Sequence, residues 1–105
     1  MPGAPQDGPD LAREVDRVAD RLRVLGPRWA ARQHQPDAEA VAAVRAALQT
    51  LADLAADADG APRRVVPELA LHALADQVAV LAHEACRVGA GPAAAEVLVA
   101  LRRTL

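Results

Sequence analysis

Hydrophobic residues recurring in alternating steps of three and four constrain this chain more than any other feature. The pattern occurs four times. It runs through Leu11, Val15, Val18, Leu22 and Leu25; through Val41, Val44, Leu48, Leu51, Ala55 and Ala58; through Leu71, Leu74, Val78, Leu81, Ala85 and Val88; and through Ala94, Leu98, Leu101 and Leu105. A strand would need a period of two, so only a helix gathers these side chains on one face. The punctuation agrees. Pro9, Pro36, Pro67 and Pro92 stand at or near the segment starts, where Pro is tolerated as a first helical residue. Gly26, Gly60 and Gly89 follow the segment ends, where Gly relieves a left-handed C-terminal turn.

The spacing predicts helices over about 9–25, 36–58, 66–88 and 92–105. Short connections at 59–65 and 89–91 favour antiparallel neighbours. The expected fold is all-α, an antiparallel up-and-down four-helix bundle, with a mean step of 3.5 giving shallow left-handed packing. Three helices with a dimerising fourth are the main alternative. Residues 1–8 are expected to be a disordered tail and 9–105 a single domain.

Trp29 is the single aromatic residue, although 52% of the chain is hydrophobic. The core must therefore be built from Leu, Val and Ala. Ser, Lys, Asn, Ile, Phe and Tyr are absent. This excludes a serine nucleophile, a serine-borne phosphopantetheine arm, a Schiff-base lysine and a P-loop lysine. The Arg-for-Lys bias fits a GC-rich, bacterial genome. A lone Cys86 allows no disulfide within the chain. The first ten residues are not built as a signal peptide, and no apolar run is long enough to span a membrane. The expected location is cytoplasmic. A net charge of −2 with mixed signs argues against nucleic-acid binding.

The candidates for chemistry cluster on helix three. There Glu68, His72, Asp76, His83 and Arg87 fall on one polar face, opposite the seam of Leu74, Val78 and Leu81. His72 and Asp76, one turn apart, could share a proton or a metal, but a metal shell needs a third ligand from elsewhere. The stretch Ala82-His83-Glu84-Ala85-Cys86-Arg87-Val88-Gly89 resembles the histidine-bearing segment of phosphotransfer domains, which are four-helix bundles of this size. That resemblance implies phosphoryl transfer on His83. It departs at Cys86 and Arg87, where the family carries a Lys and then a small residue. Cys86 lies near a helix C-terminus, whose dipole disfavours thiolate, and is expected to be inert and partly buried. On helix one, Glu14 with Arg17 and Asp20 with Arg23 read as ordinary surface pairs three apart.

Excess hydrophobicity is the most informative feature. Val66, Leu69 and Val80 form a second apolar strip on helix three, and Val99 sits roughly opposite the core side of helix four. Trp29, in the longest connection, is either a lid over the core or a contact residue. Exposed apolar strips tend to mark partner surfaces. The expected function is a non-enzymatic helical protein-interaction module that binds a second copy, as a homodimer, or another protein, with Val66, Leu69, Val80, Val99 and Trp29 as its contact surface. No cofactor, catalytic residue, metal, nucleic acid or membrane is expected. A regulatory or catalytic bundle using the His72, Asp76 and His83 face is the alternative.

Overall fold

A computed structural model of the chain describes residues 10–31 and 38–105. The tail expected over 1–8 lies outside these residues. Among the described residues four helices form, α1 (Leu11–Ala31), α2 (Ala38–Asp59), α3 (Leu74–Arg87) and α4 (Gly91–Thr104), with a 3₁₀ turn at Leu71–Ala73. There is no strand among the described residues. The expected all-α four-helix architecture is the one observed.

Each end of the pattern has a local cause. Asp10 caps α1, its Oδ1 accepting from the Ala12 amide at 3.0 Å. Gly60 and Gly89 take positive φ of 67° and 88° past the ends of α2 and α3. That conformation brings the Ala61 amide to the Ala56 carbonyl and the Ala90 amide to the Ala85 carbonyl, both at 2.8 Å. Gly26, by contrast, does not stop α1. The helix runs on through Pro27 to Ala31, and Trp29 in its last turn is 6% exposed. Burying an indole is worth about 4–6 kcal/mol, more than the roughly 3 kcal/mol that an interior Pro costs. Trp29 thus lies in a helix rather than in a connection, inside the core.

The largest departure is at the start of the third helix. Residues 66–70 are not helical, and α3 begins at Leu74. Pro67 disfavours the helical region for Val66, and the polar groups of this stretch are bound elsewhere. Gln49 Oε1 accepts from the Val66 amide at 2.9 Å, while Gln77 Nε2 donates to the Pro67 carbonyl at 3.1 Å and Arg45 to the Leu69 carbonyl at 3.0 Å. Residues 60–70 are therefore a strap, running back from the end of α2 towards its middle.

The strap sets the topology. Gly26 lies against the Leu71 carbonyl, and Leu11 and Cys86 meet at Gly91, so α1 and α3 are antiparallel. Arg21 donates to the Leu105 carbonyl at 3.0 Å, so α1 and α4 run the same way. Arg45 reaches Leu69 near the start of α3, and Asp59 adds to the field at Arg87 near its end. Hence α2 and α3 run the same way too. Adjacent α2 and α3 had been expected to be antiparallel; consuming 60–70 as a crossover is what makes them parallel. Helices α1 and α2 each pack on both α3 and α4 and scarcely on one another.

The core is Val18, Leu22 and Trp29 from α1, Val44, Leu48 and Leu51 from α2, Leu74 and Val78 from α3, and Leu98 and Leu101 from α4. Ala75, Ala82, Ala85 and Ala94 fill the spaces between them. Among the described residues, one charged side chain is buried with them. Glu14, 4% exposed, accepts from Arg102 Nε at 2.9 Å and from Arg17 at 3.1 Å. It is not the surface pair its spacing suggests, but the tie between α1 and α4. Replacing Arg102 with Met should leave Glu14 under-solvated and cost about 1–3 kcal/mol. Denaturant melts of the two single variants and the Glu14→Gln/Arg102→Met double variant should give a coupling energy well above zero.

Candidate functional site

The strap, the second half of α2 and the outer side of α3 enclose a groove of ≈ 850 Å³. Its α2 wall is Ala52, Ala55 and Ala56; its α3 wall includes Gln77, Val80 and Leu81, with Ala73 of the 3₁₀ turn before them; and the strap adds Val65, Val66, Pro67 and Leu69. The groove is open to solvent. Val65 is 88% exposed, Val80 65% and Leu69 43%. Three of the four large hydrophobic residues that the described structure leaves exposed therefore stand together; the fourth, Val24, is on α1.

The groove exists because the strap is held. Gln49 Nε2 donates to the Arg64 carbonyl at 2.8 Å and to Asp53 Oδ1 at 3.0 Å, while its Oε1 takes the Val66 amide. Arg63 donates to both oxygens of Asp57, at 3.0 and 2.7 Å. These hydrogen bonds keep the Asp57 carboxyl below the usual carboxylate range. At the far end of α3, hydrogen bonds from Arg87 do the same for Glu84, with the charges of Arg87 and His83 adding to the effect. Both carboxyls have depressed folded values. Their contribution to stability is thus in place above the ordinary carboxylate pKa and is lost as pH falls through the depressed value.

Charged groups stand around the apolar lining. Asp59, Asp76, Glu84 and Arg64 all border the groove. Asp57 and Asp59 lie in the last turn of α2, which carries no basic residue. Because α2 and α3 are parallel, their negative C-terminal dipole ends lie at the same end of the groove.

The sequence-expected residues are distributed as follows. Val66 and Leu69 lie on the strap and not on a helix, yet they meet Val80 in the groove. Val66 and Val99 are half-buried, and Trp29 is buried on α1, away from the groove lining. The polar face expected on helix three is divided. Glu68 is on the strap, with an oxygen 3.5 Å from Arg45; His72 is in the 3₁₀ turn; Asp76 opens α3 beside the groove; His83 is exposed. His72 and His83 are about 16 Å apart along the chain axis. Among the described residues, no three His, Cys, Asp or Glu side chains come together as a metal would require. Arg87 is engaged by Glu84 and is not free beside His83. Cys86 is exposed rather than partly buried.

Sequence reasoning passed over Gln49, Gln77 and Arg45, which hold the strap in place; of the three, Gln77 also lines the groove. The available signal was Val65-Val66-Pro67, since a residue before Pro prefers an extended backbone. No family model, characterised protein or solved structure matches the chain. None of the described helices is long and apolar enough to cross a membrane.

Two variants separate the groove from the histidines. Gln49→Leu should free the strap, costing about 1–3 kcal/mol and speeding hydrogen exchange at the Val66 amide. Replacing His72 and His83 together with Gln should change stability by no more than about 0.5 kcal/mol, read from the same denaturant melts.

Proposed function

We propose that the chain is a non-enzymatic protein-interaction module whose contact surface is the groove between α2, α3 and the strap. One observation supports this above the others. Val65, Leu69 and Val80 gather in a single concave, solvent-open site when simple burial would have removed them from water. Grooves of this kind accept an apolar helix face, whose side chains at steps of three and four become the anchors. The alanines of α2 suit that use, because small side chains allow close approach.

Self-association through the same groove is the weaker form of the reading. A two-fold pairing would bring Asp59, Asp76 and Glu84 of two copies towards one another, and like charges there oppose docking. A different partner protein, acting on a cytoplasmic module, meets no such opposition. Phosphoryl transfer or metal binding on the histidine face has no comparable support, as its members are spread from the strap to the end of α3.

The test is Val80→Arg. Val80 is exposed, so the variant should keep wild-type helicity and melting. It should lose capture of any partner that the wild-type chain binds stoichiometrically. Retained binding would move the contact surface elsewhere. Wild-type sedimentation as a dimer that Val80→Arg dissociates would make the partner a second copy.

A further inference from the structure

The distribution of charge narrows what the groove can hold. Residues 38–87, which build α2, the strap and α3, carry seven carboxylates against four arginines. Helices α1 and α4 carry seven arginines against four carboxylates. The bundle is therefore polarised, with α1 and α4 side by side on the basic face and the groove on the acidic one. Three carboxylates, Asp59, Asp76 and Glu84, line the groove against one arginine, Arg64; nearby, Arg63 is held by Asp57 and Arg87 by Glu84. Asp59 and Asp76 have no ion-pair partner among the described residues, and Asp59 ends α2 where the helix dipole is already negative.

We infer that the groove takes a cationic amphipathic helix of a partner protein, lying antiparallel to α2 and α3 with its N-terminus at the Asp59 and Glu84 end. The inference rests on the docking reading above and specifies its occupant. Length, polarity and charge each contribute. The groove follows α3 from Ala73 to Glu84, about 16 Å or three helical turns. An occupant of that length offers three or four apolar anchors on one face. Its flanking Lys or Arg side chains meet Asp76 on one wall and Asp59 on the other. In the antiparallel sense its positive N-terminal dipole faces two negative C-terminal ends; in the parallel sense two negative ends would be joined by a third. A second copy of this chain fits poorly. Its basic helix α1 exposes one large hydrophobic side chain, Val24, too few to anchor three turns.

The experiment uses the whole chain and two designed helical peptides of about 14 residues. Both carry the same leucine face, one flanked by Lys and the other by Glu. Anisotropy of the labelled peptides should show the Lys peptide binding at least tenfold more tightly at low salt, with the advantage shrinking as salt screens the rim. Val80→Arg should abolish binding. Asp59→Asn with Asp76→Asn should weaken the Lys peptide on the order of fivefold and leave the Glu peptide no weaker. Orientation is read from a dye on Cys86, the chain's one cysteine, exposed near that end of the groove. A peptide label should transfer energy to it more strongly from the peptide N-terminus than from the C-terminus. Equal binding of the two peptides, preference for the Glu peptide, or stronger transfer from the C-terminal label overturns the inference while leaving the docking reading intact. Failure of both peptides to bind, with Val80→Arg silent in partner capture, overturns both.

Discussion

Gln49 presents one donor and one acceptor to the backbone of residues 64 and 66, much as a neighbouring strand would. The α2–α3 side of the molecule depends on that clasp. A helix starting at 66 would need the Pro67 and Leu69 carbonyls for its own ladder, and these accept from Gln77 and Arg45 instead. Once side chains from α2 and α3 have taken them, the segment stays extended and lies along α2. The chain then re-enters α3 in the same direction as α2. The concave site, the shared negative end and the exposure of Val65 and Val80 all follow from that change of direction.

The interior solves a different problem. With a single aromatic residue, no bulky ring can fill gaps between four helices. The bundle closes them by bringing backbones near at Ala75, Ala82, Ala85 and Ala94, all of them buried. Trp29 is the exception, and α1 extends past Gly26 and Pro27 to seat it. The buried Glu14 sits in the same tight interior and is tolerable there because Arg102 and Arg17 supply its hydrogen bonds.

Legibility in the sequence followed the range of each interaction. Periodicity revealed all four helices, since each face is a local property of a dozen residues. Gly60 and Gly89 were readable because a left-handed turn is set by one residue. Gly26 was misleading, as the burial of Trp29 against distant helices outweighs a local stop. Leu71 and Leu74 carry the α3 pattern correctly, but Pro67 marked an extended stretch and not a helix start. What distinguishes the two is Gln49, seventeen residues earlier than the amide it binds, and no local reading reaches that far. Val66, Leu69 and Val80 were recognisable as surplus apolar residues; that they face one another needed the strap. Glu14 looked like half of a surface pair because its second partner, Arg102, is 88 residues away.

The sparse contact between α1 and α2 bears on how the chain acquires its structure. Two helices made one after the other usually form a hairpin that can begin to protect its own apolar stripes. Here the stripes of α1 and α2 are both covered by α3 and α4. A nascent chain that has emerged only as far as the strap therefore holds two amphipathic helices with little native surface to share. Its hydrophobic faces stay uncovered until the C-terminal third arrives and fits between them. Such a layout favours one cooperative transition over stepwise assembly, and it leaves the apolar stripes of the half-made chain open to aggregation until the last two helices cover them.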